Sequence, residues 1–237
     1  MEIKGKVTLI TGASSGIGKA TAELFSREGA KLGLAARSHE TLKKMASGIP
    51  GAIAIKADMT KPDEIRQMVK TASDHFGRID ILINNAGQGM RAPVEFTHYE
   101  DLAYLMSLNV YGPLIAMQEV IPIMRKQGGG TIVNISSGTT LAAFPTLGGY
   151  ASTKAALRMI SNTARNELAG DNIIVSTVLP GATATNFYRN MIKGRISPPS
   201  SPMQLPPMDP VEKVSEGILD VVRTGDPEKI LAQIARR

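Results

Sequence analysis

The 237-residue sequence predicts an α/β fold in which a doubly wound parallel sheet carries helices on both faces, in three layers. Short apolar runs alternate with segments whose apolar residues recur at helical spacing, which is typical of strand–helix–strand units. The apolar runs are nearly continuous, as expected of strands that are buried on both faces. Right-handed crossovers then wind the sheet in both directions from its centre. We expect a single domain over residues 1–237.

The individual elements follow from these two patterns. Strands are predicted at 7–11, 31–36, 52–56, 80–84, 131–135 and 173–179. Helices are predicted at 16–27, 39–46, 61–75, 99–127, 150–169 and 211–224. Pro113 and Pro122 should kink or interrupt the helix at 99–127, because proline lacks the N–H group that a helical turn needs. A short basic tail is expected at 228–237.

The segment 181–210 differs from the rest of the chain in its many prolines. A short helix is predicted near 186–193, and the remainder is too rich in proline for regular structure. Ligands in open α/β sheets bind beyond the carboxyl ends of the strands, and this segment follows such an end. We therefore predict a lid over the substrate, with a plain surface excursion as the alternative.

Composition narrows the class of protein. An apolar content of 43% and a charged content of 20% suit a soluble globular protein. The chain has no cysteine, which is compatible with the cytoplasm and leaves neither disulfides nor thiolate zinc sites. No run of about 18 apolar residues is present, so we expect no membrane span. The net charge is +6, but the basic residues are scattered among few aromatics, which does not favour nucleic-acid binding.

A glycine loop follows the first predicted strand and opens the first predicted helix. Residues 11–18 read TGASSGIG. Glycines at this place permit a tight turn and let the backbone approach a pyrophosphate, while the helix amino terminus offers free N–H groups. The loop therefore predicts a Rossmann-type dinucleotide site. Its predicted cofactor-binding residues are Gly12, Ser14, Ser15, Gly16, Ile17 and Gly18.

The end of the second predicted strand bears on which dinucleotide binds. An acidic residue there would bind the ribose 2′-hydroxyl of NAD, whereas an arginine accommodates the 2′-phosphate of NADP. This chain has Arg37 and no acid at that place. We therefore predict NADP(H) rather than NAD(H). The alternative is that Arg37 is an ordinary exposed arginine.

Two more strand ends supply candidate cofactor residues. Asp58, with Met59 beside it, follows the third strand and is expected to accept a hydrogen bond from adenine. A plain helix-start role for Asp58 is the alternative, because aspartate is a common capping residue. The fourth strand ends at 84–87, read NNAG, where Asn85 and Ala86 precede a glycine. The side-chain amides of this segment serve either the backbone or the cofactor, and Gly87 would let the cofactor come close.

Three polar residues predict acid–base chemistry. Tyr150 and Lys154 are four residues apart, which on a helix places them one turn apart on one face. A nearby ammonium favours the phenolate, so Lys154 should lower the pKa of Tyr150 and allow it to exchange protons. Ser137 supplies a neutral hydroxyl for a substrate oxygen, and Ser136 is the fallback. Asn109 is either a satisfied core amide or a group that opens its helix and brings water near Lys154.

These stretches together resemble the short-chain dehydrogenase/reductase family, over residues 4–185 and in family order. The resemblance implies that Tyr150 is the acid/base, that Lys154 also holds the nicotinamide ribose, and that Ser137 orients the substrate oxygen. It further implies that Asn109 holds a water in a proton relay. Tyr150 and Lys154 are also expected to be cofactor-binding residues, and those expected beside the nicotinamide are Pro180, Gly181, Thr183 and Thr185. Family members form homodimers or homotetramers through two long helices, here near 99–127 and 150–169.

The function that results is an NADP(H)-dependent oxidoreductase acting on a carbonyl or secondary alcohol. A non-catalytic dinucleotide sensor is the alternative, and a nucleotide-sugar epimerase is disfavoured because the chain lacks room for a larger substrate domain. The three histidines are predicted to be surface residues and no metal site is predicted. A partly hydrophobic pocket is expected from Phe144, Leu147, Phe187 and Met191.

Overall fold

The computed structural model describes residues 1–193 and 207–233. The strands are β1 (Val7–Thr11), β2 (Lys31–Ala36), β3 (Ala52–Lys56), β4 (Ile81–Asn84), β5 (Met90–Arg91), β6 (Gly130–Ile135), β7 (Ile173–Leu179), β8 (Ile192–Lys193) and β9 (Glu228–Ile230). The helices are α1 (Gly16–Arg27), α2 (His39–Ser47), α3 (Pro62–Phe76), α4 (Tyr99–Met106), α5 (Gly112–Lys126), α6 (Gly148–Glu167) and α7 (Val211–Thr224).

Seven of these strands form one parallel sheet in the order β3-β2-β1-β4-β6-β7-β9. Neighbouring residues of each strand face opposite sides. Leu9, Leu82 and Ile132 pack with α3 and α5 on one face. Ile10, Ile83 and Val133 pack with α1 and α7 on the other. The predicted doubly wound, three-layer α/β/α architecture is confirmed.

The predicted tail at 228–237 was wrong for its first residues. Glu228–Ile230 is a strand, β9, that pairs with β7 and extends the sheet. The guanidinium of Arg158 in α6 donates two hydrogen bonds to the Glu228 carboxylate, at 2.7 and 2.8 Å. Long-range pairing and this ion pair therefore hold a strand of three residues that has too short an apolar pattern to be detected. Residues 234–237 lie outside the described part.

The helix predicted at 186–193 was also wrong. These residues form turns and then β8, which pairs in parallel with β5 through Met90 and Ile192. The backbone N–H and C=O groups of β8 thus form hydrogen bonds with another part of the chain instead of within a local helix. Of the predicted lid at 181–210, residues 194–206 lie outside the described part.

The long helix predicted at 99–127 is continuous but changes in width. Ser107–Tyr111 is a π-helical stretch that joins α4 to α5. Proline cannot donate to the carbonyl four residues before it, and for Pro113 that residue is Asn109, inside the widened stretch. Pro122 lies within α5 without interrupting it, on the exposed side, so that part of the prediction was wrong.

No helix within residues 1–193 and 207–233 is both long and apolar enough to cross a membrane.

Candidate active site

The predicted site residues meet at one edge of the sheet. In a parallel sheet all strands end at the same edge, and β1, β4, β6 and β7 are consecutive neighbours. Their carboxyl ends lead into the glycine loop, the segment 85–87, Ser137 and the segment 180–185. The edge where the strand order reverses direction is where open α/β sheets hold ligands.

The glycine loop forms a cradle in which a side chain would not fit. Gly12 has φ +66°, and a Cβ there would lie 2.8 Å from the Ala86 Cα. Gly16 has φ +53°, and its Cβ would lie 3.0 Å from Thr185 Cγ2. A Cβ on Gly18 would overlap the Gly12 carbonyl and lie 2.5 Å from Asn85 Nδ2. Glycine is therefore needed at all three positions.

Helix α1 begins directly behind this cradle. Ser15 is its N-cap residue and, within the part of the chain that the structure describes, its side chain does not cap the first turn. The free N–H groups and the positive end of the helix dipole are left to face the cradle, an arrangement that suits an anion. Ser14 and Ile17 are half-buried in the same turn. The loop thus fits the pyrophosphate of a dinucleotide.

Asn85 clamps the loop from the end of β4. Its Nδ2 donates to the carbonyl oxygens of Thr11 at 2.9 Å and Gly12 at 3.3 Å. The hydroxyl oxygen of Thr11 accepts from the main-chain N–H groups of Asn85, at 3.0 Å, and Ala86, at 3.1 Å. Of the two roles expected for this segment, the structure gives the Asn85 side chain the backbone-binding one.

Arg37 lies at the end of β2, beside a shallow depression at the start of α2. The depression is lined by Arg37, Ser38, His39, Glu40, Thr41 and Lys56. It therefore holds two cationic side chains beside one carboxylate. Asp58, further along the edge, is engaged locally: its Oδ1 accepts from Thr60 N at 2.9 Å and Thr60 Oγ1 at 2.8 Å. These contacts form a turn ahead of α3, whose N-cap residue is Lys61, so Asp58 does not cap that helix, and the neighbouring Met59 is buried.

The three acid–base candidates are all buried, with Tyr150 7% exposed, Lys154 4% and Ser137 9%. Tyr150 and Lys154 lie in the first turns of α6, and Ser137 follows β6. Ser137 Oγ accepts hydrogen bonds from Thr139 N at 3.2 Å and Thr139 Oγ1 at 3.0 Å. The Ser136 hydroxyl instead donates to the Lys154 carbonyl oxygen at 3.1 Å, so Ser136 is engaged in holding α6.

Burial has the largest effect on the pKa values of Tyr150 and Lys154. It raises the pKa of Tyr150 well above its ordinary value, an effect that the Ser137 hydroxyl opposes and Tyr188 reinforces. It lowers the pKa of Lys154 to about 8. The expectation that Lys154 lowers the pKa of the phenol was wrong for the chain by itself, because the loss of water around the phenol outweighs other effects.

Asn109 lies in the widened stretch of helix and faces Lys154. Its Oδ1 accepts from Gln88 N at 3.1 Å, and its Nδ2 donates to Gln88 O at 2.9 Å and Thr153 Oγ1 at 3.0 Å. A Cβ on Gly87 would lie 3.1 Å from Asn109 Oδ1 and 3.2 Å from Lys154 Nζ. The amide of Asn109 is therefore satisfied, as the first alternative expected; its stretch of helix is widened, and a water near Lys154 stays a prediction.

The segment after β7 closes the far side of the edge. The carbonyl oxygen of Pro180 accepts from Gly138 N at 2.8 Å, next to Ser137. Thr183 Oγ1 donates to the Gly181 carbonyl oxygen at 3.1 Å, and Thr185 contacts Gly16 of the cradle. The structure thus brings this segment against both the acid–base residues and the glycine loop.

Sequence reasoning missed four residues that contact residues of the candidate site. Gln88 and Thr153 hold Asn109, Thr139 holds Ser137, and Gly89 borders Phe187. Thr153 follows Tyr150 by three residues on one helix, a spacing that places it near the same face. The other three had no signal in the sequence, because they act through loops whose course only the fold determines.

Comparison with known proteins agrees with this geometry. A family model for short chain dehydrogenases matches residues 6–195. An uncharacterized oxidoreductase of Staphylococcus saprophyticus is 41% identical over 189 residues, which are 78% of this chain and 77% of that protein. A 3-oxoacyl-(acyl-carrier-protein) reductase of Thermotoga maritima is 39% identical over 189 residues, with the same coverage of 78% and 77%.

Solved structures are similar over nearly the whole chain. A short-chain dehydrogenase from Streptomyces avermitilis superposes with a TM-score of 0.89 at 31% identity, covering 97% of this chain and 89% of that one. A 3-ketoacyl-(acyl-carrier-protein) reductase from Brucella melitensis, in complex with NADH, gives 0.86 at 25% identity, covering 98% and 97%. With the family model matching most of its length, the chain belongs to the short-chain dehydrogenase family of oxidoreductases.

Proposed function

We propose that the protein is an NADP(H)-dependent oxidoreductase that interconverts a carbonyl compound and a secondary alcohol. One observation carries the proposal: the segment 85–87 borders both the glycine cradle and the buried trio. Gly87, which follows the Asn85–Ala86 clamp on the cradle, has no side chain, and a Cβ there would lie 3.2 Å from Lys154 Nζ. A dinucleotide laid along the cradle would therefore reach the acid–base residues.

The residues proposed to hold the dinucleotide follow from their places along the edge. The cradle and the start of α1 would bind the pyrophosphate. Asp58, Met59 and the segment 85–87 would flank the adenosine and the middle of the molecule. The segment 180–185 would lie beside the nicotinamide. When bound, the nicotinamide supplies a hydride carrier, which no side chain of the chain provides.

Preference for NADP(H) is proposed from the depression beside Arg37. A 2′-phosphate brings about two negative charges, and the guanidinium of Arg37 and the ammonium of Lys56 both line the depression. Glu40 is the one carboxylate in that lining, and it lies within α2 rather than at the strand end. The Brucella reductase, at 25% identity, is complexed with NADH, so cofactor choice is a property to measure for each chain.

In the proposed mechanism Tyr150 moves the proton. Its raised pKa keeps the phenol protonated at neutral pH, so in the reductive direction it is ready to donate to a carbonyl oxygen. Ser137 would hydrogen-bond the same oxygen as its charge grows. The ammonium of Lys154, one turn away, would stabilise the phenolate that remains. Asn109 would hold a water through which Tyr150 and Lys154 regain the proton.

Two alternatives remain distinct from this proposal. A non-catalytic dinucleotide sensor would keep the cradle without needing the trio, yet Ser137, Tyr150 and Lys154 are all present and buried at one edge. A nucleotide-sugar epimerase would need a larger substrate domain after β7. The proposal includes a small-molecule substrate. Of the predicted lid, residues 181–193 and 207–210 belong to the described part of the chain, and they are proposed to cover it.

Assembly into a homodimer or homotetramer is part of the proposal. Large apolar or aromatic side chains are exposed on the long helical elements: Tyr99 is 80% exposed, Met159 66% and Tyr111 51%. Burying them against a second copy would remove that surface from water. We propose a cytoplasmic location, with which the absence of cysteine is compatible.

The direct test is a fluorescence titration of the purified protein with NADPH and with NADH, together with cofactor oxidation over a panel of ketones and aldehydes. Tighter NADPH binding with turnover supports the full proposal. Tight binding without turnover on any carbonyl compound would favour the sensor. Failure to bind either cofactor would overturn the role given to the glycine cradle.

A further inference from the structure

The segment after β7 is fastened to the segment after β4. Gln88 Nε2 donates to the Asn190 carbonyl oxygen at 2.6 Å, and Ile192 N donates to the Gly89 carbonyl oxygen at 2.9 Å. Strands β5 and β8 continue this pairing. Residues 187–192 are thus held in a defined place over the site by main-chain and side-chain hydrogen bonds.

Phe187 fills the space that a side chain at Gly89 would need. A Cβ on Gly89 would lie 2.7 Å from Phe187 Cζ and 2.8 Å from Phe187 Cε1. It would also lie 3.0 Å from Met191 Cε. Real Cβ atoms do not come as close as 2.8 Å to a ring, so the present position of Phe187 requires glycine at 89.

The same ring stands beside the phenol of Tyr150. The ring centroids of Phe187 and Tyr150 are 5.5 Å apart, with the planes inclined by 59°. Tyr188 packs edge-on against Phe187 at 5.8 Å, and Phe187 N donates to Thr185 Oγ1 at 3.1 Å. A substrate whose oxygen reaches the Tyr150 hydroxyl therefore has the Phe187 ring as a neighbour.

We propose that Phe187, placed by Gly89, is the specificity-determining residue of the site, and that the substrate is a ketone or secondary alcohol with an apolar substituent on its reacting carbon. The inference rests on the proposed oxidoreductase function. The substituent would pack against the Phe187 ring, and the buried side chain of Met191 would extend that apolar surface. Neither a phenylalanine nor a glycine indicates substrate choice by itself, and the inference comes from the contact between Phe187 and Gly89.

The first part of the test is substrate choice. NADPH oxidation is measured with acetophenone, 2-butanone and pyruvate. Wild type should prefer acetophenone to pyruvate by about tenfold or more in kcat/KM, and Phe187→Ala should lower the acetophenone-to-butanone ratio by about tenfold. The acetophenone-to-butanone ratio of Phe187→Leu should lie between those of wild type and Phe187→Ala. An unchanged ratio in Phe187→Ala, or a wild-type preference for pyruvate, would overturn the proposal.

The second part is a double-mutant cycle between Gly89 and Phe187. Gly89→Ala should displace the ring and lower kcat/KM for acetophenone by about tenfold in the wild-type background. In the Phe187→Ala background it should change this value by less than about twofold, since the ring is gone and the Met191 methyl, at the end of a flexible side chain, can give way by a few tenths of an ångström. Additive effects would overturn the coupling. Gly170→Ala is the matched control, because Gly170 has nothing within 4 Å of its would-be Cβ.

A binding measurement separates this inference from the proposed function. The NADPH complex of Tyr150→Phe is titrated with 4-fluoroacetophenone and followed by fluorine NMR, with and without Phe187→Ala. Binding that weakens about fivefold or more on loss of the ring supports the inference even where no ketone is turned over. Equal binding refutes it. If circular dichroism shows that Gly89→Ala is unfolded, the Phe187 variants decide the result.

Discussion

Lys154 Nζ donates a hydrogen bond to the main-chain oxygen of Ile135 at 2.9 Å, where β6 ends. The Ser136 hydroxyl, directly after β6, donates a second hydrogen bond, to the Lys154 carbonyl oxygen at 3.1 Å. These two bonds fasten the first turns of α6 to the end of β6. They fix the distance between Tyr150, on the helix, and Ser137, which follows the strand. The pair is therefore preorganised by the sheet rather than assembled by the substrate.

Tyr150→Phe should abolish turnover while leaving NADPH binding intact. The change removes only the hydroxyl that exchanges the proton, and loss of such a group costs about 10²- to 10⁴-fold in rate. The measurement is kcat/KM for a ketone substrate beside the NADPH dissociation constant, which should stay within about twofold. Tyr99→Phe makes the same change on a side chain that is 80% exposed, and it should leave both values unchanged. Turnover at the wild-type rate in Tyr150→Phe would refute the proton-transfer role.

Arg37→Asp should reverse the preference between the two cofactors. A charge-assisted hydrogen bond to the 2′-phosphate is worth about 1.5–3 kcal/mol, so kcat/KM with NADPH should fall by at least about tenfold. The value with NADH should change little or rise, because NADH presents a hydroxyl at that position. Lys44→Asp is the matched control, since it makes the same charge change on an exposed part of α2 outside the depression. A wild type that prefers NADH would contradict the assignment of Arg37.

Gly12→Ala should impair the dinucleotide site and the fold together. Alanine would have to adopt φ +66° with its Cβ 2.8 Å from the backbone of Ala86. Strain of this kind costs about 1–3 kcal/mol, and any shift of the loop moves N–H groups away from the pyrophosphate. We expect a lower Tm and at least about tenfold weaker NADPH binding. Gly170→Ala, in open space and without a positive φ, should change neither quantity, and an equal loss in both variants would contradict the cradle.

Much of this architecture was predictable because apolar patterning is a local property of the sequence. The bounds of β1, β2, β3, β7, α1 and α7 agree with those predicted. β9 was missed because three residues carry too little pattern, and its pairing with β7 and the Arg158–Glu228 ion pair are long-range. The helix expected at 186–193 failed for the same reason, since pairing with β5 outweighed local propensity.

The candidate site, too, was predictable only in part. Tyr150, Lys154 and Ser137 were selected from spacing and strand ends, and the fold brings them to one edge. Their protonation was not predictable, because it depends on burial: the pKa of Tyr150 is raised where a nearby ammonium was expected to lower it. The Phe187–Gly89 contact was not predictable from the sequence, since nearly a hundred residues separate the two and long-range hydrogen bonds, including the pairing of β5 with β8, join their segments.

Burial of Lys154 predicts a specific dependence of stability on pH. Its pKa is lowered to about 8 in the folded protein from an ordinary value of 10.5, so the folded state disfavours the ammonium. The unfolded chain therefore binds more protons between pH 8 and 10.5, and the free energy of unfolding must rise with pH in that window. Below pH 8 the full cost of burying the ammonium, about 3 kcal/mol, is present. The raised pKa of Tyr150 acts in the opposite direction only as pH approaches about 10, where a free phenol begins to ionise.

Lys154→Met isolates this effect, because methionine cannot titrate and leaves every exposed group of the protein in place. Urea unfolding of the cofactor-free wild type and of the variant is measured at pH 7, 8, 8.75 and 9.5, and the difference in unfolding free energy is taken at each pH. We expect that difference to shift in favour of wild type by about 1.5 kcal/mol from pH 8 to 9.5, and to change little below pH 8. A shift of opposite sign would mean that a partner holds the ammonium and raises its pKa, and a flat difference would mean that Lys154 keeps its water. Either result would contradict a Lys154 pKa that burial has lowered.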